Sequence, residues 1–159
     1  MRRLPAAVLS LMCLATLGLV VLARPTQAAS SNRHIAHTCS ATDRQFIQTT
    51  QLVMTDLGTW SQDMHGGDST PQEIVRLAAN ESNRVAQTAP TDPSLNQARQ
   101  LVQAMLVEYG KALRAEIHAS PQAGAYMGRA WGLANSAHDT LSEAQAPLME
   151  KGCDIGPLL

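Results

Sequence analysis

From Thr42 to Ala144, apolar residues return at steps of three and four, the period of helices that each bury one face. Phe46, Thr50, Val53, Leu57, Trp60 and Met64 mark the first stripe. Thr42 stands three residues before Gln45, which predicts a capping box at its start, and Gly66-Gly67 predicts its end. Thr70-Pro71-Gln72-Glu73 opens a second helix with a cap, a proline at the first helical position and the reciprocal Glu. Its face, Ile74, Leu77, Ala78, Val85 and Ala86, is interrupted by polar Glu81 and Ser82. Asp92 before Pro93 caps a third helix. That helix carries Leu95, Ala98, Val102, Met105, Tyr109 and Ala112, widened by Leu101, Leu106, Leu113 and Ile117. A stripe this broad calls for two neighbours. Ser120-Pro121 repeats the cap-and-proline signature ahead of a fourth helix bearing Ala123, Met127, Ala130, Ala134, Ala137, Leu141 and Ala144, which Pro147 and Gly152 should stop.

No segment alternates with period two, so the expected class is all-α. Short connections between four amphipathic helices favour an antiparallel up-down bundle, because sequential neighbours must then run in opposite directions. With one Phe, two Trp and two Tyr in the chain, the core has to be built from Leu, Ala, Val and Met.

The N-terminus has a different texture. Arg2 and Arg3 precede an unbroken apolar run from Leu4 to Ala23, and Arg24-Pro25-Thr26-Gln27-Ala28 places small residues where a signal peptidase reads them. We expect residues 1–28 to be a secretory signal peptide cleaved after Ala28, residues 29–38 a flexible tail, and residues 39–159 the bundle. The run is long enough to span a bilayer, so an uncleaved N-terminal anchor is the alternative. Pro5, Ser10, Thr16 and Gly18 within it, and the cleavage pattern after it, favour removal. Cys13 leaves with the leader.

Export changes the reading of the other two cysteines. In an up-down-up-down bundle the start of the first helix and the end of the fourth lie together, and Cys39 and Cys153 stand at those two points. In an oxidising compartment they are expected to form a disulfide that closes the domain into a ring.

The mature chain has nine Lys or Arg against thirteen Asp or Glu, a formal charge of −4. That balance argues against nucleic acid as a partner, since phosphate binding relies on clustered positive charge. Arg exceeds Lys, and Ala and Gln are abundant, which points to a GC-rich bacterial source. In architecture alone the chain resembles small exported proteins of actinobacteria.

Chemistry-bearing motifs are sparse. Gly124, Gly128 and Gly132 share one face of the fourth helix, each at a cost of about 0.5 to 1 kcal/mol relative to Ala. Close approach of another helix inside the bundle, a homodimer face, a shallow ligand groove edged by Tyr126, Met127 and Trp131, and simple tolerance all remain open. His34, His37 and Cys39 resemble a ligand cluster, but they fall in the tail and the cysteine is expected in the disulfide. His65 and His118 end helices, where imidazolium interacts favourably with the helix dipole. His138, Met54, Met64 and Tyr109 are the side chains available to a non-covalent haem. Arg44, Arg84, Lys111, Arg114 and Glu108 would be the residues of a helical enzyme of the chorismate mutase type. No phosphate loop, nucleophile elbow, zinc-binding pattern or covalent-haem motif occurs.

The expectation is therefore an exported, non-enzymatic bundle of the cell envelope or extracellular space, binding another envelope protein or itself. It needs no cofactor or metal, and no membrane once the leader is cleaved. A small-ligand carrier, with haem or a lipid-like molecule inside the bundle, is the alternative, and the helical enzyme comes third. The intact mass of the exported protein should equal that of residues 29–159 less two hydrogens, with no thiol open to alkylation before reduction. A full-length mass would instead mean a retained anchor.

Overall fold

The computed structural model describes residues 38–67 and 69–159; the leader, the cleavage position after Ala28, His34 and His37 lie outside the described residues. Four α-helices form there: α1 Ala41–Gly66, α2 Pro71–Ala86, α3 Pro93–Ile117 and α4 Ala123–Glu150. A 3-10 turn at Gly156–Leu158 follows. The described residues contain no strand.

Local chemistry sets most of the ends. At α2 the Thr70 hydroxyl accepts from the Glu73 amide at 3.3 Å, and the Glu73 carboxylate accepts from the Thr70 amide at 2.8 Å. That reciprocal bonding also holds the Glu73 carboxyl below its ordinary pKa. At α3 the Asp92 carboxylate accepts from the Ser94 and Leu95 amides. Gly67 takes φ +82°, the left-handed conformation that ends α1.

Three boundaries differ from expectation. The box at the start of α1 uses Ser40 and Asp43 in place of Thr42 and Gln45: the Ser40 hydroxyl accepts from the Asp43 amide at 3.0 Å, and Asp43 accepts from the Ser40 amide at 3.4 Å. Ser120 does not cap α4. Its amide closes α3 on the Ala115 carbonyl at 2.7 Å, next to Ala119 at φ +49°, and its hydroxyl accepts from the Gln122 amide. Pro147 lies within α4, which continues to Glu150. Its missing amide costs a single bond so near the helix end, and Gly152 at φ +76° follows the last turn.

α3 is the central element, with α2 and α4 both close along it. Its buried Leu95, Ala98, Val102, Leu106 and Leu113 supply the two-sided stripe that the sequence predicts. Most of the core is one cluster that takes Phe46, Ile47 and Val53 from α1 and Ala137, Leu141, Ala144 and Leu148 from α4. A smaller cluster of Trp60, Ile74 and Leu113 joins α1, α2 and α3. Glu81 and Ser82, the apparent interruption of α2, are buried, and Arg84 covers both Glu81 carboxylate oxygens at 3.3 and 3.1 Å.

One corner ties the ends together. Cys39 and Cys153 are disulfide-bonded, with Cα atoms 5.0 Å apart across 114 residues of sequence. For a loop of this size the chain-entropy model assigns about 4.7 kcal/mol of stabilisation. Beside the bond, the Cys39 amide donates to the Lys151 carbonyl at 2.6 Å. The Lys151 ammonium donates to Asp92 at 2.7 Å. Buried Asp43 accepts from the amides of Thr91 and Asp92 at 2.7 and 3.0 Å. The start of α1, the start of α3 and the end of α4 are thus joined by one disulfide and a set of charge-assisted hydrogen bonds.

Burial alone would raise the Asp43 pKa, but bonds from Ser40, Asp92 and Thr91 outweigh it and hold the carboxyl below its ordinary value. A lowered folded pKa stabilises the fold at every pH above the unfolded value of about 3.9, and that contribution is lost as pH falls through the folded value. Asp43→Asn should therefore cost about 2 kcal/mol at neutral pH and flatten the acid limb below about pH 4. Urea unfolding at a series of pH values measures both, and an unchanged acid limb would place the acid sensitivity elsewhere.

Candidate functional site

Near the disulfide, α1 and α4 contribute to one buried cluster. Even so, among the described residues no Cα of α1 comes within 8 Å of one in α4. Packed helices with small side chains approach more closely than that spacing allows. Met54 lies 15 residues beyond Cys39, roughly 20 Å along the helix, and here the gap becomes an apolar groove of about 490 Å³.

The floor is α3, through Met105, Tyr109, Leu113 and Glu116 at steps of four, four and three. One bank is Met54, Leu57 and Gly58 of α1. The other is Met127, Ala130, Trp131 and Ala134 of α4. Met54 and Trp131 stand on the rims, 38% and 65% exposed. An indole left this open at the edge of a hollow is a large apolar area still in water.

Two ionisable groups line the groove, Tyr109 and Glu116. Burial raises the Tyr109 pKa, and the negative charge of Glu116 raises it further, so the phenol stays protonated at physiological pH. Glu116 is the one charged residue of the lining, and among the described residues it makes no salt bridge.

The three glycines of α4 have a clear setting. Gly124, Gly128 and Gly132 are exposed, and a Cβ added at any of them meets nothing within 4 Å. Close internal packing is therefore not their role, because α3 and α1 lie on other sides of the helix. Gly58, on the facing bank, is equally open.

The expected ligand and catalytic sets are dispersed. Met54 and Tyr109 line the groove, whereas His138 is exposed on α4 beside Asp139 and Ser142. The Met64 and His65 side chains lie outside the described residues. His118 is the C-cap of α3. Arg44 donates to the Cys39 carbonyl at 2.5 Å, and Arg84 pairs with Glu81. Arg114 lines a small hollow against α2. Glu108 is held by Lys111 at 2.6 Å and by Arg129 at 2.7 Å, and these two bonds lower its carboxyl pKa. Arg129 also stacks 4.5 Å from the Tyr126 ring centre. Of the five residues of the enzyme reading only Glu108 and Lys111 are thus paired with each other, and the rest are engaged elsewhere.

Sequence reasoning offered a groove on the glycine face edged by Tyr126, Met127 and Trp131; Met127 and Trp131 line the groove that is present, whereas Tyr126 and the three glycines do not. Nothing in the periodicity distinguishes Met105, Leu113 or Leu57 from ordinary core, and Glu116 reads as a charge on the last turn of a helix.

Since open space surrounds Gly128 and Gly132 in regular helix, Gly128→Ala and Gly132→Ala should each raise stability by about 0.5 to 1 kcal/mol in thermal or urea unfolding. A loss would restore the close-packing role.

Compared with protein-family models, curated protein sequences and solved structures, the chain matches none of them.

Proposed function

We propose that this chain is an exported, non-enzymatic binding module that holds an apolar surface of a protein partner in the groove between α1 and α4. The fold that carries the groove is an antiparallel up-down four-helix bundle. Its connectivity is supported by the meeting of the start of α1 with the end of α4 at Cys39 and Cys153, and with the start of α3 at Asp92. Export through a leader removed after Ala28 supplies the oxidising surroundings in which such a disulfide persists. The partner is another protein of the envelope or a second copy of the chain.

The observation that carries this reading is the seam itself. Two helices that share a core bring no backbone within 8 Å of each other, leaving Met54, Met127 and Trp131 around an open apolar trench. Methionines suit such a surface because their flexible thioethers repack around different shapes, and a rim tryptophan is a common anchor of binding energy.

A second reading has one observation in its favour. The groove volume of about 490 Å³ falls in the range of small-ligand pockets. A carrier would bind a lipid-like molecule along the same floor.

A photoreactive phenylalanine analogue in place of Trp131, in protein exported by its native host, should give one discrete protein adduct. The same analogue at Glu143, exposed on α4, should give none. An adduct of twice the chain mass would identify a second copy. Adducts of equal yield at both positions would sink the groove as the binding surface. Absence of a protein adduct, with a non-protein mass retained in native mass spectrometry, would transfer the site to the carrier reading.

A further inference from the structure

The groove reading leaves open what kind of segment lies there, and the shape and charge of the trench narrow the choice. Its floor follows α3 from Met105 to Glu116, about 16 Å of helix. It is open along its length, whereas small-molecule sites enclose most of their ligand. Small residues stand among the large ones on both banks: Gly58 next to Leu57 on α1, and Ala130 and Ala134 with Met127 and Trp131 on α4. Around Gly58 there is room for atoms that the chain does not supply. Low banks of this kind let a rod come close to the flanking backbones, which is how small residues serve helix contacts.

Charge supplies the second constraint. Glu116 is the groove's single formal charge. The basic residues nearest in sequence are used elsewhere: Lys111 and Arg129 on Glu108, and Arg114 in the hollow against α2. An occupant complementary to this trench is apolar along its length and cationic at the end that meets Glu116. Resting on the groove reading above, we infer that the partner segment is an amphipathic α-helix with apolar anchors on one face and a Lys or Arg that pairs with Glu116. Its apolar side chains, at helical spacing, cover Trp131 and Met54 and lie over Leu113 and Met105, the helix-in-groove mode of recognition. The cation fixes which way round the helix lies. Glu116 is exposed, so the pair contributes selectivity and orientation more than strength.

The test uses a labelled designed peptide of about five helical turns. It has Leu at positions i, i+4 and i+7, one Lys a turn beyond the last Leu, and otherwise Ala, Gln and Ser. Its partner peptide replaces the Lys with Gln. Binding is followed by fluorescence anisotropy to the full exported protein and to its Glu116→Gln, Glu143→Gln and Trp131→Ala variants, whose folding is checked by circular dichroism.

The Lys peptide should bind the unaltered protein about three- to tenfold more tightly than the Gln peptide. That preference should vanish in Glu116→Gln, persist in Glu143→Gln and shrink in about 0.5 M salt. Both peptides should weaken on Trp131→Ala. Equal, Trp131-dependent binding of the two peptides, or a preference that survives Glu116→Gln, would overturn this inference while leaving the groove reading intact. Failure of both peptides alongside Trp131-dependent binding of dodecylamine would replace the helix with a small cationic amphiphile. If neither peptide nor dodecylamine binds, the inference and the groove reading fall together.

Discussion

The covalent tie between Cys39 and Cys153 fixes where α1 begins relative to where α4 ends, and the remaining order is arranged around that corner. A disulfide by itself sets a distance and leaves the two chains free to pivot. Here Asp43 and Lys151 remove that freedom. The Asp43 carboxylate accepts from the Ser40 amide at the start of its own helix and also holds the amides that lead into α3, while Lys151 crosses from the end of α4 to the Asp92 cap. Charges of this kind are expensive to bury unless every oxygen is occupied. Because the Asp43 oxygens are occupied by amides and hydroxyls, the burial that would raise its pKa is outweighed, and the corner acts as one unit.

A bundle pinned so firmly at one end need not be uniform along its length. Close to the corner, Phe46 and Val53 pack into the same cluster as Leu141 and Leu148. Farther along, α1 turns its large side chains toward α2 and α3, with Trp60 against Ile74 and Leu113. α4 stays on α3 by its alanines. The two outer helices therefore take different partners, and the groove is what remains between them. Its existence follows from the composition of the two faces: alanine draws α4 close to α3, while tryptophan and leucine hold α1 out over α2.

Much of the architecture was legible because it is written in local rules. Thr70 with Glu73, Asp92 with Pro93, and Gly67 each mark an end by satisfying, or terminating, backbone groups within a few residues. The disulfide was legible too, once bundle topology placed both cysteines at one end. Asp43 was missed as the organising residue because its partners lie 48 and 49 positions away. A residue before helical periodicity reads as a cap whether or not it also holds another helix. The glycines of α4 were open to a packing interpretation since spacing shows that residues share a face but not which way that face points. Glu81 is the converse, a polar residue that faces inward because Arg84 follows one turn later to cover it. For the groove, the difficulty is more basic. A methionine or leucine in a half-filled seam has the same periodicity as one in a filled core.

Residues 40–152 form a closed loop between the two bonded cysteines. Tension applied to the chain on either side, by an attachment before Cys39 or beyond Cys153, passes from one flank to the other through the sulfur–sulfur bond. The helices lie outside that line of force. Tension on the two ends is therefore felt by the disulfide and by the short segment that buries Ile155 beyond it, while the four helices between the cysteines are mechanically slack.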